Sequence, residues 1–493
     1  APSGGTVAGT IETDGNAISI GDGDTTITLA ANTIIDGDAN NDQVTDGAIT
    51  LGGTVDGAST LTLNSTNTTT ISAAIGSGTN ITSLTTDSGG TTVISANITS
   101  TGNQTYNDNV SLTTDITLTG GAQLTFAGTV NSSVDGEGAT DNDALSTSFT
   151  ETAFEGEVGG NAELGAIIIT GDLDLDADIT SATSLSVSAD TNLAADVTTS
   201  STQQYDGAVT LSVDVTLTTT DSNITFNGTV NSEDTTNRAL TIDLDSNDNG
   251  TTADVIFGNA TADTIGVTND LGAIDITGDL DLNAAIGNGA TAGATSIAVS
   301  GESNLGASVT TSGNQTYTGA VTLSANNTLT TTSDGSVSFV NTTDSDATDR
   351  TLAITTDGAG DVSFTGAVGD TGGLNGLTID TDQFNAAALT VGGTISITNT
   401  DTASSEITGI IADDGDAAVF TKEGTGTLTL SGINTYSGAT TISGGIIAIS
   451  DPNSLGTTAG ATTVDSGAAL YISNNITVAE PITISGTGVS SGG

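Results

Sequence analysis

The sequence contains no cysteine, methionine, tryptophan or histidine, and only 3 of its 493 residues are proline. These absences exclude disulfide bonds, thiolate or imidazole metal sites, haem ligation and catalysis by cysteine or histidine. No window approaches the ~20 consecutive apolar residues of a membrane-spanning helix. The first residues, Ala-Pro-Ser-Gly-Gly, fit the start of a mature chain from which an export signal has been removed.

Basic residues are also scarce. Three lysine and arginine residues stand against 59 aspartate and glutamate residues, which gives a formal net charge of −56. Such a chain repels phosphate backbones and anionic lipid headgroups, so we expect no nucleic-acid binding and no membrane insertion, and divalent cations become the first candidate ligands. A hydrophobic fraction of 35% argues against disorder of the whole chain.

The apolar residues follow the period of a β-strand almost everywhere. Segments such as "TLTLNS", "VTLSVDVTLTTT" and "ISITNT" alternate apolar and polar residues, which is typical of strands with one buried face. Glycine, Asn-Gly, Asp-Gly and Ser-Gly separate these segments and favour turns. No sustained stripe with the helical period is present, so we predict an all-β chain.

Similar phrases recur along the sequence. Four of the five tyrosines, Tyr106, Tyr205, Tyr317 and Tyr436, open related phrases 99, 112 and 119 residues apart. After each of the first three, a phenylalanine phrase follows at 20 to 22 residues, and the whole unit repeats at slightly over about 100 residues. These repeats divide the chain into an N-terminal region, three repeat units and a C-terminal region: 1–100, 101–200, 201–312, 313–405 and 406–493.

Two architectures bury strands of this kind, a β-solenoid of stacked coils and an array of tandem β-sandwich domains. The interval between tyrosine and phenylalanine equals one coil of about 20 to 25 residues, which favours the solenoid. In that case the aromatic rings stack along a single inner wall. Each tyrosine then marks a corner, with its hydroxyl reaching solvent or a turn carbonyl. Sandwich domains remain the alternative.

The C-terminal region resembles a known family. The segment "KEGTGTLTLSGINTYSGATTISGGIIAISDPNSLGTT", Lys422 to Thr458, is similar to the passenger-associated repeat of bacterial autotransporters. The matching positions are Lys422, Gly424, Gly426, Thr427, Leu428, Leu430, Gly432, Asn434, Tyr436, Gly438, Thr440, Ile442 and Gly445. The resemblance implies an exported, surface-displayed passenger, an elongated right-handed β-solenoid of the adhesin or filamentous-haemagglutinin type. The motif carries no catalytic residues.

One acidic loop, "DGDANNDQVTDG", is a candidate metal site. It resembles the aspartate-rich calcium loops of thrombospondin type 3 repeats. Calcium prefers about six to eight oxygen ligands from a short, flexible turn, and this loop offers oxygens at mostly alternate positions. The predicted Ca²⁺ ligands are Asp36, Asp38, Asn40, Asp42 and Asp46. The alternative is a solvated acidic loop.

Other charged residues also form patterns. The segment "GDLDLDADI" is predicted to place a row of carboxylates on one strand face while the intervening residues fill the core; the row is Asp172, Asp174, Asp176 and Asp178. Such a row either attracts cations or prevents edge pairing. Arg238 and Arg350 lie 112 residues apart in similar contexts, and each is predicted to pair with a neighbouring carboxylate.

These features predict a secreted or cell-surface structural or adhesive repeat protein without enzymatic activity. We expect it to self-assemble into a fibre, surface layer or matrix stabilised by calcium, and to meet surface glycans or a host or neighbouring cell. A glycan-binding or polysaccharide-degrading β-solenoid is the alternative, although lyases of that fold use basic residues that this chain almost lacks. Threonine-rich runs suggest an ice-binding adhesin as a lesser alternative.

Overall fold

The computed structural model describes residues 4–37, 39, 47–133, 142–247, 250, 252–259, 263–401 and 405–489. Within these ranges every helix or strand assigned is a β-strand. Among the same residues, no helix is long and apolar enough to cross a membrane. The chain divides into two units, Ala1–Gly228 and Thr229–Gly493.

The strands of unit 1 are short and closely spaced. They are β1 (Gly5–Glu12), β2 (Ile18–Ile20), β3 (Thr26–Asp36), β4 (Ile49–Leu51), β5 (Thr54–Asp56), β6 (Thr60–Asn64), β7 (Thr68–Ile71), β8 (Ser83–Thr86), β9 (Thr91–Ile94), β10 (Ile98–Thr99), β11 (Gln104–Tyr106), β12 (Asn109–Leu112), β13 (Ile116–Thr119), β14 (Gln123–Phe126), β15 (Val130–Ser132), β16 (Leu145–Phe154), β17 (Leu164–Leu175), β18 (Ile179–Val187), β19 (Thr191–Leu193), β20 (Val197–Thr199), β21 (Gln203–Tyr205), β22 (Val209–Leu211), β23 (Val215–Thr218) and β24 (Ile224–Phe226).

Unit 2 is built in the same way. Its strands are β25 (Val230–Ser232), β26 (Arg238–Asp243), β27 (Asp254–Phe257), β28 (Thr264–Ile265), β29 (Leu271–Thr277), β30 (Asp279–Leu282), β31 (Ala285–Ile286), β32 (Ala294–Val299), β33 (Ser303–Leu305), β34 (Val309–Thr311), β35 (Gln315–Tyr317), β36 (Val321–Leu323), β37 (Asn327–Thr331), β38 (Val337–Phe339), β39 (Thr343–Ser345), β40 (Arg350–Thr355), β41 (Val362–Phe364), β42 (Leu374–Thr381), β43 (Phe384–Ala386), β44 (Leu389–Asn399), β45 (Ser405–Ile407), β46 (Ile411–Asp413), β47 (Val419–Glu423), β48 (Thr427–Leu430), β49 (Thr440–Ile442), β50 (Ile446–Ile449), β51 (Thr462–Val464), β52 (Ala469–Ile472) and β53 (Ile482–Ile484).

The alternating sequence pattern explains these strands. In β6, Leu61 and Leu63 are buried while Thr60, Thr62 and Asn64 lie on the partly exposed face. Successive side chains of a strand point to opposite faces, so the period of two residues separates the core from the surface. Threonine suits the outer face because its branched side chain favours the extended backbone.

In unit 1, the coils of the chain pair in parallel along three ladders, and some long strands such as β16 belong to two of them. The strands β11, β12 and β13 pair with β14, β15 and β16, respectively. This repeating offset of three strands is the pairing pattern of a β-solenoid with three ladders. The predicted all-β solenoid is therefore confirmed for this unit.

Unit 2 repeats the same offset. The strands β35, β36 and β37 pair in parallel with β38, β39 and β40. In this register, Tyr317 lies opposite Phe339, and Leu329 lies opposite Ile354. Since β-sandwich domains are built from antiparallel strands, the tandem-sandwich alternative is wrong.

Coil length varies more than the sequence suggested. Residues that meet in adjacent coils are 18 apart at Asp172 and Asp190, but 29 apart at Asp115 and Ala144. The longer coils accommodate loops between strands, and the stacking continues on either side of them. A solenoid tolerates such insertions because each coil contacts only its neighbours.

Aromatic rings stack from coil to coil in the core, as predicted. The ring centroids of Tyr106 and Phe126 are 5.2 Å apart, and those of Phe126 and Phe154 are 5.3 Å apart with an interplanar angle of 8°. In unit 2, Phe339 lies 5.2 Å from Tyr317 and 4.6 Å from Phe364. Offset stacking of this kind contributes about 0.5–1.5 kcal/mol per pair beyond burial.

The prediction of a single inner wall is wrong. Tyr106 belongs to a ladder that continues through Phe154, Leu175 and Leu193. Tyr205 lies in a different ladder of the same unit, stacked beneath Val187. Because coil lengths differ, the tyrosine phrases do not return to the same face.

The tyrosine hydroxyls also differ from expectation. Tyr106 and Tyr205 are fully buried, and each hydroxyl donates a 3.0 Å hydrogen bond to the Oε1 atom of the glutamine two residues earlier. The Nε2 atom of Gln203 then donates to the carbonyl of Thr218 in the next coil at 3.0 Å. The tyrosine hydroxyl is therefore part of a buried link between coils and does not reach solvent.

We predict that Tyr205→Phe lowers the free energy of unfolding by about 1–2 kcal/mol, because the buried Gln203 Oε1 atom loses its donor. Urea unfolding followed by circular dichroism measures the loss. Tyr471→Phe is the matched control, since Tyr471 is 62% exposed and its hydroxyl can bond to water. Equal unfolding midpoints for the two variants would contradict the proposed link.

Candidate functional site

The predicted calcium loop lies mostly outside the described residues. Of its five predicted ligands, Asp36 ends β3, and its carboxylate accepts a hydrogen bond from Asn64 Nδ2 at 3.4 Å. The other four, Asp38, Asn40, Asp42 and Asp46, are not among the described residues. In the part of the chain that is described, no three acidic side chains are grouped in a way that could hold a metal ion. The calcium site stays a prediction.

The acidic row of unit 1 does not share one face. Asp172 and Asp174 lie on the outer face of β17 and alternate with the buried residues Leu173 and Leu175. Strand β17 ends at Leu175, so Asp176 and Asp178 lie in the turn that leads to β18. The prediction that all four carboxylates share one strand face is wrong. The alternation of apolar and acidic residues continues in the sequence, but the strand itself ends and the chain turns.

Outward carboxylates on the strands bond to amides in the next coil. Asn192 Nδ2 donates to Asp174 Oδ1 at 2.9 Å, and in unit 2 Asn304 Nδ2 donates to Asp281 Oδ1 at 2.8 Å. The matching phrases "LDLDADI" and "LDLNAAI" thus have the same geometry. These carboxylates form hydrogen bonds that hold adjacent coils together.

Carboxylates at the turns bond to the backbone of the next coil. Asp178 Oδ1 accepts a hydrogen bond from the backbone N–H of Asp196 at 3.0 Å, and Asp196 Oδ1 accepts one from Thr216 at 2.7 Å. In a second series, Asp172 on β17 accepts a hydrogen bond from the Asp190 N–H at 3.1 Å, and Asp190 in the turn after β18 accepts one from the Ala208 N–H at 2.9 Å. We call these carboxylates corner caps. They satisfy N–H groups that the strand ladders leave without a partner.

Asp108 is a buried carboxyl group whose pKa is raised by its surroundings. Asp108 is 1% exposed and accepts hydrogen bonds from Thr92 Oγ1 at 2.9 Å and from the Gly90 N–H at 3.2 Å. Burial raises the pKa of Asp108 from 3.8 to about 6, and the charge of Asp87 adds to this effect while the hydrogen bonds oppose it. The pKa of Asp108 is higher in the folded chain than in the unfolded chain. The contribution of Asp108 to stability therefore falls as pH rises from about 4 to about 6.

The two arginines behave differently. Arg350 forms a bidentate pair with Asp346, at 3.0 Å from Nε and 2.7 Å from Nη2, which confirms the predicted pairing. The Nε atom of Arg238 is buried without a hydrogen-bond partner. The pKa of Asp234 is lowered, first by hydrogen bonds from Thr236 and only weakly by the charge of Arg238. The two arginines therefore lie in similar sequence contexts but do not form equivalent ion pairs.

The motif lysine lies in the core, which the sequence did not suggest. Lys422 is 0% exposed and occupies an inward position of β47, between Ile397 and Ile442 of the adjacent coils. Its Nζ atom donates a hydrogen bond to the carbonyl of Glu423. Burial lowers the pKa of Lys422 to about 8, and the charge of Glu423 opposes this effect. Nearby, Gly445 has a φ of 63°, and a Cβ atom there would lie 2.2 Å from the carbonyl oxygen of Gly426, which explains the glycine.

The other motif residues of this region also hold coils together. Asn434 Oδ1 accepts a hydrogen bond from the Ile411 N–H at 2.8 Å, while its Nδ2 atom donates to the Ser454 carbonyl at 2.6 Å. Tyr436 stacks against Phe420 with centroids 6.1 Å apart, and its hydroxyl bonds to Thr440 Oγ1 at 2.7 Å. Asn434 therefore connects three successive coils.

This geometry defines a class of protein, a parallel β-solenoid whose C-terminal coils are held by a passenger repeat. Residues 420–449 match the passenger-associated-transport-repeat family. Over 112 residues, 21% of this chain, the sequence is 39% identical to the adhesin BmaC autotransporter of Brucella suis biovar 1 (strain 1330). The matched part is 3% of that adhesin. No solved structure matches the chain.

The two sequence matches confirm the resemblance to autotransporter passenger adhesins. They indicate an exported, cell-surface protein, and the similarity to an adhesin favours a non-enzymatic role. The aligned region spans only a small fraction of that relative's length.

We predict that the buried lysine makes stability depend on pH. Since the pKa of Lys422 is about 8 in the folded chain and 10.5 ordinarily, the folded state binds fewer protons between these values and stability rises with pH. From pH 7.5 to pH 10 the wild-type chain should gain about 2 kcal/mol relative to Lys422→Met. Urea unfolding at the two pH values measures this difference.

Arg350→Met is the matched control, because a guanidinium keeps its charge throughout this range and the variant should retain the rise. A wild-type chain whose stability changes with pH in parallel with that of Lys422→Met would contradict the assignment.

Proposed function

We propose that this chain is a segment of a cell-surface adhesin that acts without catalysis. Its stacked coils serve as a scaffold, and its outward side chains make contact with surface glycans or with a host or neighbouring cell. The observation that carries the proposal is the passenger repeat, in which Asn434 and Tyr436 contact adjacent coils and Lys422 lies buried between two of them. The similarity to an adhesin supports the same conclusion.

The use of the carboxylates also supports a non-enzymatic role. Asp172, Asp178 and Asp196 accept hydrogen bonds from backbone N–H groups of the following coil. A carboxylate that acts as a general acid or base needs access to the proton that it transfers. Carboxylates committed to corner caps are poorly placed for that task.

Adhesion is tested with the intact chain coupled to beads. We expect the beads to attach to cultured cells or to neighbouring bacterial cells in larger numbers than albumin-coated beads, and heat-unfolded chain to lose the effect. Incubation with a panel of polysaccharides should release no reducing sugar. Attachment equal to that of albumin, or sustained sugar release, would contradict the proposal.

We further propose that copies of the chain associate with one another, with calcium as a stabilising ion. Ile410 and Ile433 are 49% and 57% exposed, and exposed apolar side chains favour contact with another chain. The predicted loop ligands are oxygen donors of the type that calcium prefers, and the net charge of −56 opposes association unless cations reduce the repulsion.

Sedimentation velocity in calcium and in a chelator tests both parts. We expect larger species in calcium, and a weaker calcium response for the double variant Asp42→Asn/Asp46→Asn. Asp174→Asn is the matched control, since Asp174 lies on the outer face of β17 and is not one of the predicted ligands, so the response should remain intact. A single species under all conditions contradicts association, and indifference to the chelator contradicts the role of calcium.

A further inference from the structure

A groove on the surface of unit 2 has the character of a binding site for a neutral ligand. Its volume is about 350 Å³, and its lining includes Ala285, Asn288, Ser308, Thr328 and Thr330. That volume falls within the range of about 300–1,000 Å³ typical of ligand pockets. Among the residues that the structure describes, no charged side chain lines it, although the chain carries a net charge of −56.

One wall of the groove is a turn fixed by hydrogen bonds. Asn288 Oδ1 accepts hydrogen bonds from the backbone N–H groups of Ala290 and Thr291, at 3.0 and 2.9 Å. The Gly289 N–H donates to Thr310 Oγ1 at 3.1 Å, which holds the turn over β34 and buries Thr310 beneath it. Gly287 and Gly289 have φ values of 71° and 82°, which only glycine adopts readily. The wall is therefore formed before any ligand arrives.

The opposite wall is a row of hydroxyl groups. Thr328 and Thr330 lie on the outer face of β37, one coil beyond β34, and Thr330 pairs in register with Thr310. The Thr328 N–H donates to Ser308 Oγ at 3.0 Å, which fixes the spacing of the two strands. Hydroxyl groups that both donate and accept hydrogen bonds are suited to a polyhydroxylated ligand.

A column of hydroxyl side chains continues from the groove along the same ladder of unit 2. Thr328 is in register with Ala353, and the following coils place in turn Thr378, Ser396, Thr421, Thr441, Thr463 and Thr483. Ala353 interrupts the column next to the groove. From Thr378 onward, adjacent strands are about 4.8 Å apart, so those hydroxyls form an evenly spaced row. Beside the row lie Asp380 and Glu423, which repel an anionic chain and accept hydrogen bonds from a neutral one.

From this geometry we propose that the groove between the turn at Asn288 and the hydroxyls of Thr328 and Thr330 binds a neutral glycan. A longer glycan extends from the groove along the hydroxyl column. The inference rests on the proposed adhesive function and specifies the class of surface molecule that it recognises. Acidic glycans are rejected, because their carboxylates or sulfates meet a strongly acidic protein.

Binding is measured by isothermal titration calorimetry of the full chain with cellohexaose, laminarihexaose and mannohexaose, and with hexagalacturonate as the acidic probe. We expect at least one neutral hexasaccharide to bind and hexagalacturonate to bind far more weakly. The double variant Thr328→Val/Thr330→Val removes two hydroxyls at nearly constant volume and should lower the affinity about tenfold or more. Ala285→Trp fills the groove and should abolish binding.

The matched control is Thr316→Val/Thr429→Val, which removes two outward hydroxyls from a different face of unit 2 and should bind as the wild type does. Circular dichroism confirms that all variants fold. The inference is overturned if no neutral probe binds, if the two double variants behave alike, or if the acidic probe binds best.

The two proposals fail separately. Loss of oligosaccharide binding with retained attachment of beads to cells would refute the glycan site and leave the adhesive function standing. Oligosaccharide binding by a chain whose beads do not attach to any cell would refute the adhesive function and leave the glycan site standing.

Discussion

The hydrogen bond between one coil and the next is the interaction on which the structure depends. Parallel ladders satisfy the backbone groups of the strands, but the turns between strands leave N–H groups that need other partners. Aspartate carboxylates supply many of them, as Asp178 and Asp196 do in successive coils. The acidic composition suggests metal binding when the sequence is considered alone. In the structure, these carboxylates accept hydrogen bonds from the next coil.

The two deeply buried ionisable groups discussed above, Asp108 and Lys422, are exceptions to this use of charge at the surface. Burial raises the pKa of the first and lowers that of the second, so both are shifted toward their neutral forms. Each is also tied to the backbone, Asp108 through the Gly90 N–H and Lys422 through the Glu423 carbonyl. In both cases the side chain bonds to a backbone group, which an aliphatic side chain cannot do.

The strands, the parallel coils and the stacked rings could be predicted because each follows from local periodicity. The face on which a ring lies could not be predicted, since coil length differs from coil to coil, with 18 residues at Asp172 and 29 at Asp115, and the sequence does not show where a loop is inserted. Gln203 is visible in the phrase "QQYD". Its hydrogen bonds to Tyr205 and to the next coil could not be predicted, because no general sequence pattern marks them. The groove near Asn288 joins residues from separate coils, and its neutrality is visible only once they are brought together.

The placement of the basic residues has a consequence for survival outside the cell. Proteases of the trypsin type cleave after lysine or arginine in an extended, accessible segment. This chain has only three such residues, and all three lie in paired strands: Arg238 in β26, Arg350 in β40 and Lys422 in β47. With Lys422 wholly buried and Arg350 held by Asp346, the folded protein gives these enzymes almost no starting point for digestion.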